Sequence, residues 1–324
     1  MNLWRVAIDE TSGVTTGQPQ ALTVPAAYIR HFALSADGRV GTYATYAVTN
    51  NLARVRFSPL TATVDGPAEP ITTGPRDFGQ LDVNPVGREL AVVTSSRQQE
   101  DVFVVPTDGG ALRQLTNDSA RDRALKWSPD GRHILFYSDR SGTFELWSID
   151  RDGSGLRQLT TSAGRYFPVP SRDGSKVAAS DINAWQLYVY ESRDFSKPLA
   201  LPPFPQTIRE GGQLAPLDWS PDGRQLAGAA AGKLWLYSFE TKAYRTVTDV
   251  SGQFAAWLPD NRRVIMGRQG RLFVTDTLSG ESRQLFAIPG EQLGQARLTA
   301  DSAYLYFAHG TTSGDIWLVR FADK

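Results

Sequence analysis

A four-residue phrase, Ser-Pro-Asp-Gly in its clearest copies, recurs along the chain and constrains the fold more than any other feature. Full copies stand at 128–131 and 220–223. Degraded copies stand at 35–38, 84–87, 171–174, 258–261 and 299–302. Successive copies are separated by 38 to 49 residues, and this spacing is typical of a four-stranded propeller blade of about 40–50 residues.

The phrase itself is predicted to form the hairpin between the first two strands of each blade. Pro presets φ for the first corner of a type I turn, Asp bonds the nearby backbone, and Gly adopts a positive φ. Apolar runs flank the phrase, and a third alternating run such as ELWSI is followed by a short fourth such as RQLT. Alternation of this kind predicts half-buried strands. We therefore expect blades of four antiparallel strands, named a to d in chain order.

The repeats predict an all-β fold, a β-propeller of four-stranded antiparallel blades that forms a single domain over residues 1–324. Seven phrases favour seven blades, with eight or six as alternatives. Residues 1–23 are expected to close the ring, with Gln20–Thr23 as strand d of the last blade beside Asp315–Val319 as strand c; closure removes exposed sheet edges. One strand c is left over, since Asn2–Ile8 resembles Asp315–Val319. This surplus indicates a fragment of a longer protein or an eighth, partial blade.

The overall charge and the lack of cysteine exclude several classes of function. Lys+Arg and Asp+Glu both number 34, so the formal net charge is zero, whereas nucleic-acid and anionic-membrane binders carry a basic excess. No apolar run approaches the roughly 18 residues that span a bilayer, so we expect no membrane insertion. The chain has no cysteine, which excludes disulfides and thiolate metal sites. A soluble monomer is expected.

Six tryptophans fall at matched positions on strands a and c. Large aromatic side chains at repeated strand positions are expected to pack between neighbouring sheets. They are Trp127, Trp147, Trp219, Trp235, Trp257 and Trp317.

The sequence contains no recognised catalytic motif. It lacks G-x-S-x-G, H-E-x-x-H and a Gly-rich phosphate loop before a helix. A non-catalytic binding or sensing platform is therefore favoured, with a peptide, a protein partner or a small anion as ligand. The alternative is a metal-dependent hydrolase acting on a phosphoester or lactone.

The loops from strand d to strand a are unusually polar and are the predicted ligand site. In a propeller these loops share one face, here named the d–a face, with the b–c loops, and loops on a rigid scaffold commonly carry binding residues. Arginines there would bind a carboxylate or phosphate in bidentate fashion. The candidates are Arg30, Arg76, Asp77, Arg121, Asp122, Arg123, Arg165, Arg209, Glu210 and Glu291.

Two of the three histidines form a candidate metal site. His31 and His309 are predicted on the d–a face, in the first and last blades, which become neighbours if the ring closes. Imidazole and carboxylate groups together bind divalent metals, and such a metal could activate water for hydrolysis. No other cofactor is implied. The carboxylates that could complete the site are Asp77, Asp122, Glu210 and Glu291.

The sequence also resembles a known family. WSPDGR at 127–132, FYSDRSG at 136–142, ELWSIDRDGSG at 145–155 and RQLT at 157–160 resemble TolB-like β-propeller repeats, and the resemblance covers essentially the whole chain. The order of repeats also resembles propeller regions that lie C-terminal to bacterial serine/threonine kinases and winged-helix regulators. The resemblance implies a rigid platform for a protein or peptide, within a larger bacterial signalling protein, and an extracytoplasmic (periplasmic) location.

Overall fold

The chain folds as strands joined by turns and loops. The computed structural model describes residues 4–9, 11–21, 28–94, 100–161, 164–205, 214–248, 252 and 254–321. Within those ranges every regular element is a strand. No helix in the described part of the chain is long and apolar enough to cross a membrane. The chain divides into two compact units, Asn50–Gly310 and residues 1–49 with 311–324.

The strands are numbered along the chain. They are β1 (Trp4–Arg5), β2 (Gln20–Ala21), β3 (Tyr28–Leu34), β4 (Val40–Ser58), β5 (Thr63–Pro70), β6 (Phe78–Val83), β7 (Glu89–Thr94), β8 (Val102–Pro106), β9 (Arg113–Gln114), β10 (Asp122–Trp127), β11 (His133–Ser138), β12 (Glu145–Asp150), β13 (Arg157–Gln158), β14 (Tyr166–Pro170), β15 (Lys176–Asp181), β16 (Gln186–Glu191), β17 (Asp194–Ala200), β18 (Ala215–Trp219), β19 (Gln225–Ala230), β20 (Lys233–Ser238), β21 (Ala243–Thr248), β22 (Ala255–Trp257), β23 (Arg263–Arg268), β24 (Arg271–Asp276), β25 (Ser282–Phe286), β26 (Gln292–Leu298) and β27 (Tyr304–Arg320).

The unit Asn50–Gly310 is a propeller of six four-stranded blades. Blades I to V follow the chain as β6–β9, β10–β13, β14–β17, β18–β21 and β22–β25, each paired in the order a–b–c–d. Each pairing within these blades is antiparallel. The predicted all-β propeller of four-stranded blades is thus confirmed, but the predicted number of seven blades is wrong; six was one of the two alternatives, with eight.

Blade VI closes the ring with strands from both ends of the unit. Strands a and b are β26 and the first part of β27, whereas strands c and d are the second part of β4 and β5. The Phe57 N–H donates to the Ala303 carbonyl at 2.9 Å across this junction. Closure therefore uses residues 50–70, whereas the sequence suggested Gln20–Thr23. Of that segment, Gln20–Ala21 pairs with Trp4–Arg5, and residues 22–23 lie outside the described residues.

The copy of the phrase at 35–38 explains why seven phrases correspond to six blades. The copy at 35–38 does form a hairpin, between β3 and β4. However, β4 continues as one 19-residue strand with no turn after it, because residues 40–49 contain no proline and only one glycine, at the strand start. Strand β27 is likewise continuous over 17 residues; it runs through the loop predicted around His309 and includes Asp315–Val319. Neither segment supplies a separate blade.

The other unit consists of residues 1–49 with 311–324. Its strands are β1 paired with β2, and β3 with the first part of β4 and the last part of β27. Trp317 stacks on Tyr43 at 6.4 Å and donates its indole N–H to Thr45 Oγ1 at 3.1 Å. Trp317 is 52% exposed, so the prediction that it packs between sheets is wrong.

The remaining matched tryptophans do pack between blades. Trp219 and Trp235 share one apolar cluster of blades III and IV, and Trp257 lies in the cluster formed by blades IV and V. Trp127 is buried in the cluster of blades I and II, where the half-buried Trp147 packs against it. Burial of one such side chain contributes about 1.5–3 kcal/mol or more, so the seams between blades hold much of the stabilising apolar area.

The Ser-Pro-Asp-Gly hairpins have the predicted chemistry. In the copy at 128–131, the Gly131 N–H donates to the Ser128 carbonyl at 2.8 Å, and Gly131 has φ of 66°. The Asp130 carboxylate accepts from the Ser128 hydroxyl at 2.5 Å and from the Arg132 N–H at 3.1 Å. Because each hairpin follows strand a of its blade, the last residues of the six inner strands lie at one end of the propeller.

Candidate binding site

The inner strands of the six blades meet around a cavity at the end that carries the Ser-Pro-Asp-Gly hairpins. One position repeats in all six strands, two residues before the first residue of each phrase, and all six of its residues line the cavity. We call this cavity of about 270 Å³ the axial pocket. The six residues at the repeated position are Asp82, Lys126, Val169, Asp218, Ala256 and Arg297.

Two carboxylates of the axial pocket bind backbone of the next blade. Asp82 Oδ2 accepts from the Trp127 N–H, and Asp218 Oδ2 accepts from the Trp257 N–H, both at 2.8 Å. Each tryptophan follows the repeated position on its own strand. The carboxylates therefore connect blade I to blade II and blade IV to blade V.

Two arginines of the axial pocket are also held by the protein. Arg297 donates from Nε to Asp82 Oδ1 at 3.2 Å and from Nη1 to the Ala255 carbonyl at 3.1 Å. Arg172 takes the place of proline in the copy of the phrase at 171–174 and donates from Nη2 to the Trp257 carbonyl at 3.3 Å. Its Nη2 is 3.7 Å from Asp218 Oδ2.

Lys126 is the least satisfied charged group of the axial pocket. Its side chain is 11% exposed, and its ion-pair partner among the described residues, Asp82 Oδ1, is 4.0 Å from Nζ. That separation exceeds hydrogen-bonding distance. Burial, with repulsion from Arg297, lowers the pKa of Lys126 to about 8, because a buried ammonium is less stable than a buried amine.

The opposite end of the inner strands has a different surface. A wider cavity of about 660 Å³ is lined mainly by glycine and glutamine. Two of these glutamines bind backbone. Gln295 Oε1 accepts from the Leu81 N–H at 2.8 Å, and Gln80 Oε1 accepts from the Ala124 N–H at 2.5 Å. This end is the d–a face, where the sequence predicted the charged ligand site.

Most of the predicted arginines on the d–a face bind carboxylates of the same chain. Arg121 pairs with Asp139 at 2.7 Å, and its guanidinium lies 5.0 Å from the centre of the Phe144 ring. Arg123 donates from Nη2 to Glu100 Oε1 at 2.7 Å, and a second contact joins Nε to the same carboxylate. These side chains hold the d–a and b–c loops together.

Asp122 and Arg165 are buried and serve the protein interior. Arg140 Nη2 donates to both carboxylate oxygens of Asp122, at 2.7 and 2.8 Å, and burial raises the pKa of Asp122. Arg165 donates to the Tyr190 hydroxyl at 2.8 Å and to Asp181 at 3.1 Å. Neither side chain faces solvent, because Asp122 is fully buried and Arg165 is 6% exposed.

The remaining predicted site residues are dispersed. Asp77 Oδ1 accepts from Asn50 Nδ2 at 2.5 Å, and Arg76 is exposed. Arg30 lies in β3 of the other unit. Arg209 and Glu210 lie outside the described residues.

The two candidate metal-binding histidines belong to different units. His31 is exposed in β3 of the unit formed by residues 1–49 and 311–324, whereas His309 lies in the propeller. His309 Nδ1 contacts Glu291 Oε2 at 2.5 Å, and its buried Nε2 has no hydrogen-bond partner among the described residues. No group of three or more His, Asp or Glu in the described ranges has an arrangement that could hold a metal ion.

The family is decided by comparison with known proteins. Residues 20–196, more than half of the chain, match the TolB beta propeller domain. The chain belongs to the TolB-like β-propeller family. An uncharacterized protein of Agrobacterium fabrum is 30% identical over 159 residues, which are 44% of this chain and 52% of the relative. The chain thus spans about half the length of this curated relative.

Solved structures share the fold of this TolB-like propeller. A protein assigned as TolB in Agrobacterium tumefaciens has a TM-score of 0.66 and 16% identity, and the match covers 82% of this chain and 99% of that one. TolB from Acinetobacter baumannii has a TM-score of 0.55 and 16% identity, with 83% of this chain and 65% of that one covered.

Sequence reasoning missed the axial pocket of this TolB-like propeller. The signal was present, because Asp218 and Lys126 are charged residues within otherwise apolar a strands, PLDW and ALKW, at the same repeat position. A single charged residue in such a strand is ordinarily interpreted as a side chain on the solvent-facing side of the strand. Charged residues at the same position in four of the six repeats are better explained by a ring of side chains around a common axis.

Proposed function

We propose that this TolB-like propeller is a non-catalytic platform that binds an extended segment of a protein partner at the axial pocket. TolB-like propellers are a protein-binding fold family. The observation that carries the proposal is the convergence of five charged side chains from five blades on one cavity. Pockets with a few fixed polar groups on a rigid scaffold are the usual place for ligands. The five residues are Asp82, Lys126, Arg172, Asp218 and Arg297.

The d–a face is the weaker candidate for the binding surface. Arg121, Arg123 and Arg165 are each paired with a carboxylate of the protein, so a ligand would have to displace that carboxylate. Exchange of one ion pair for another gains little free energy. A ligand at the axial pocket meets Lys126, which has no hydrogen bond to a carboxylate at its 4.0 Å separation from Asp82.

The size of the axial pocket restricts the kind of partner. Its volume of about 270 Å³ is just below the roughly 300–1,000 Å³ of pockets that take drug-sized ligands. A folded domain cannot enter it, whereas one or two residues of a protruding loop or chain end can. The partner therefore presents an extended segment, and the hairpins around the pocket supply the surrounding contact area.

The experiment is a peptide-display selection on the folded chain, with one blocking variant and one control. Ala300 is exposed and lines the axial pocket, so Ala300→Trp narrows the entrance without altering a buried residue. Leu60 is 86% exposed in the turn between β4 and β5 and is absent from the pocket lining, so Leu60→Trp adds the same side chain elsewhere.

We expect selected peptides to bind the wild type and Leu60→Trp equally and to bind Ala300→Trp at least tenfold more weakly in calorimetric titrations. Peptides that bind all three proteins alike would place the binding surface outside the axial pocket and overturn the proposal. A selection that yields no binder would do the same.

The metal-dependent hydrolase is not favoured by any specific contact of the described residues. His309 is engaged by Glu291 through Nδ1, and its other nitrogen is buried. His31 belongs to the other unit.

A further inference from the structure

Lys126 is an uncommon kind of residue at its position. It lies near the end of the inner strand of blade II, and the residue at the corresponding place in blades III and V is apolar, Val169 and Ala256. An apolar residue is therefore compatible with the strand. A lysine that is only 11% exposed carries a desolvation cost that an apolar residue would avoid.

Three of the carboxylate oxygens near Lys126 already accept other hydrogen bonds. Both oxygens of Asp82 accept hydrogen bonds, Oδ2 from the Trp127 N–H and Oδ1 from Arg297 Nε. Asp218 Oδ2 accepts from the Trp257 N–H at 2.8 Å. The ammonium of Lys126 has three donors, and it is 4.0 Å from the Asp82 carboxylate.

The charges that line the axial pocket do not balance. Three cations, Lys126, Arg172 and Arg297, face two carboxylates, Asp82 and Asp218. One additional negative charge would neutralise the set. Enclosed charges interact more strongly than charges in water, so a small anion gains more here than at an exposed site.

We propose that the axial pocket holds a carboxylate group against the Lys126 ammonium, with Arg172 and Arg297 as flanking cations. The inference names the chemical group that the platform recognises, and in its peptide form it rests on the proposed function. The carboxylate belongs to the chain terminus of the partner segment or to a free organic acid. These sources share one chemistry and are separated by the experiment below.

The titration of Lys126 agrees with this arrangement. Burial and the positive charge of Arg297 lower its pKa to about 8, while Asp82 and Asp218 act in the opposite direction and Arg172 adds repulsion. A bound carboxylate favours the charged ammonium and raises that pKa again. Binding is therefore expected to weaken as the pH rises through about 8 and to take up protons near that pH.

The experiment compares small carboxylates and peptides on three proteins. Acetate, succinate, a short peptide with a free C-terminal carboxylate and its C-terminal amide are titrated into the wild type, Lys126→Met and Lys197→Met by calorimetry at pH 7. Met keeps most of the length of the side chain without its charge. Lys197 is an exposed lysine of β17 outside the axial pocket, so Lys197→Met is the matched control.

We expect the wild type and Lys197→Met to bind at least one carboxylate, and Lys126→Met to bind it at least tenfold more weakly. Stronger binding of the free peptide than of its amide identifies a chain terminus, whereas binding of succinate alone identifies a free acid. Equal binding by Lys126→Met and the wild type, or no binding of any probe to the wild type, would overturn the proposal.

A measurement on the wild type guards against a folding defect in Lys126→Met. Reductive ¹³C-methylation labels each lysine amine for NMR, and among the lysines that the structure describes Lys126 is the one with a pKa lowered to about 8. Carboxylate should raise the pKa of that resonance and leave Lys197 unchanged. A titration curve that carboxylate does not move would contradict the proposal.

The outcomes also separate this inference from the binding platform. If display peptides bind Ala300→Trp more weakly but bind Lys126→Met normally, the binding platform is supported and the carboxylate site is rejected. If small carboxylates bind through Lys126 and no peptide binds, the anion site is supported and the peptide-binding platform is rejected.

Discussion

The Asp82 carboxylate of blade I accepts a hydrogen bond from the Trp127 backbone N–H of blade II, with 2.8 Å between Oδ2 and N. Asp218 of blade IV and Trp257 of blade V repeat the arrangement at the same distance. Trp127 and Trp257 are 3% and 1% exposed. Each carboxylate thus satisfies a donor that lies away from water, and the charged groups of the axial pocket also stabilise the seams between blades.

Replacement of Asp218 by leucine should weaken the seam between blades IV and V. The Trp257 N–H would lose its acceptor, and an unsatisfied buried donor costs about 1–3 kcal/mol. We expect the free energy of unfolding of the propeller, measured in urea, to fall by that amount. Asp218→Asn keeps an oxygen acceptor and should lose clearly less. Equal losses in the two variants would show that the hydrogen bond is not the cause.

Lys126→Met should stabilise the propeller at pH 7. The folded chain holds a buried ammonium whose pKa is lowered from 10.5 to about 8, whereas methionine has no charge to desolvate. Each unit of such a shift corresponds to about 1.4 kcal/mol, so a gain of about 1–3 kcal/mol is expected in urea unfolding at pH 7. A loss of stability would show that the attraction to Asp82 outweighs the cost of burial.

The pH dependence of the wild type follows from the same group. Between pH 8 and 10.5 the unfolded chain keeps the Lys126 proton that the folded chain has released, so the unfolded state binds more protons and stability rises with pH. The difference in unfolding free energy between Lys126→Met and the wild type should therefore be largest below pH 8 and shrink above it. A difference that stays constant to pH 10.5 would contradict the lowered pKa.

Asp122 and Arg140 should behave as a coupled pair. Asp122 is fully buried and the Arg140 side chain is 10% exposed, with two contacts of 2.7 and 2.8 Å between them. Removal of one partner of a buried pair costs about 3–5 kcal/mol when the other charge is left without compensation. Arg140 keeps a contact of 3.4 Å with the partly exposed Asp118, so Asp122→Leu is expected at the lower end of that range. In a double-mutant cycle, Asp122→Leu with Arg140→Leu should cost less than the two single changes added together. Additive losses would mean that the two charges act independently.

Two glycines of identical motifs should differ in their response to alanine. Gly131 and Gly223 have φ of 66° and 70°, so either substitution costs about 1–2 kcal/mol of backbone strain. A Cβ on Gly131 would lie 2.4 Å from Asn84 Oδ1 and from Val86, whereas a Cβ on Gly223 meets nothing within 4 Å. Gly131→Ala should therefore lower the free energy of unfolding in urea by about 1–3 kcal/mol more than Gly223→Ala does. Equal losses would show that the Asn84 turn moves freely.

The hairpins could be predicted from sequence because their causes are local. In the copies at 35–38 and 128–131 the serine hydroxyl, aspartate and glycine make the same contacts. What differs is the sheet to which the hairpin belongs. The copy at 35–38 joins β3 to β4 outside the propeller, and no residue within the phrase carries that information. The number of blades therefore could not be read from the number of phrases.

The candidate site was harder to predict for a similar reason. Arg121 and Asp122 find their partners, Asp139 and Arg140, 18 residues further along the chain. That pairing depends on the register between strands a and b, so the sequence shows the charges but not their neutralisation. The neighbours of Lys126 are not visible in the sequence either, because Asp82 comes to 4.0 Å from it only when β6 of blade I packs beside β10 of blade II.

The closure of the ring also determines the order in which it can be completed. The Phe57 N–H bonds the Ala303 carbonyl, and strands c and d of blade VI leave the ribosome long before strands a and b. Residues 50–70 must wait with unpaired edges until residues 292–310 are made, while blades I to V can already assemble. Unpaired edges invite association with other chains. Newly made protein is thus most exposed to aggregation in the interval before β26 and β27 emerge.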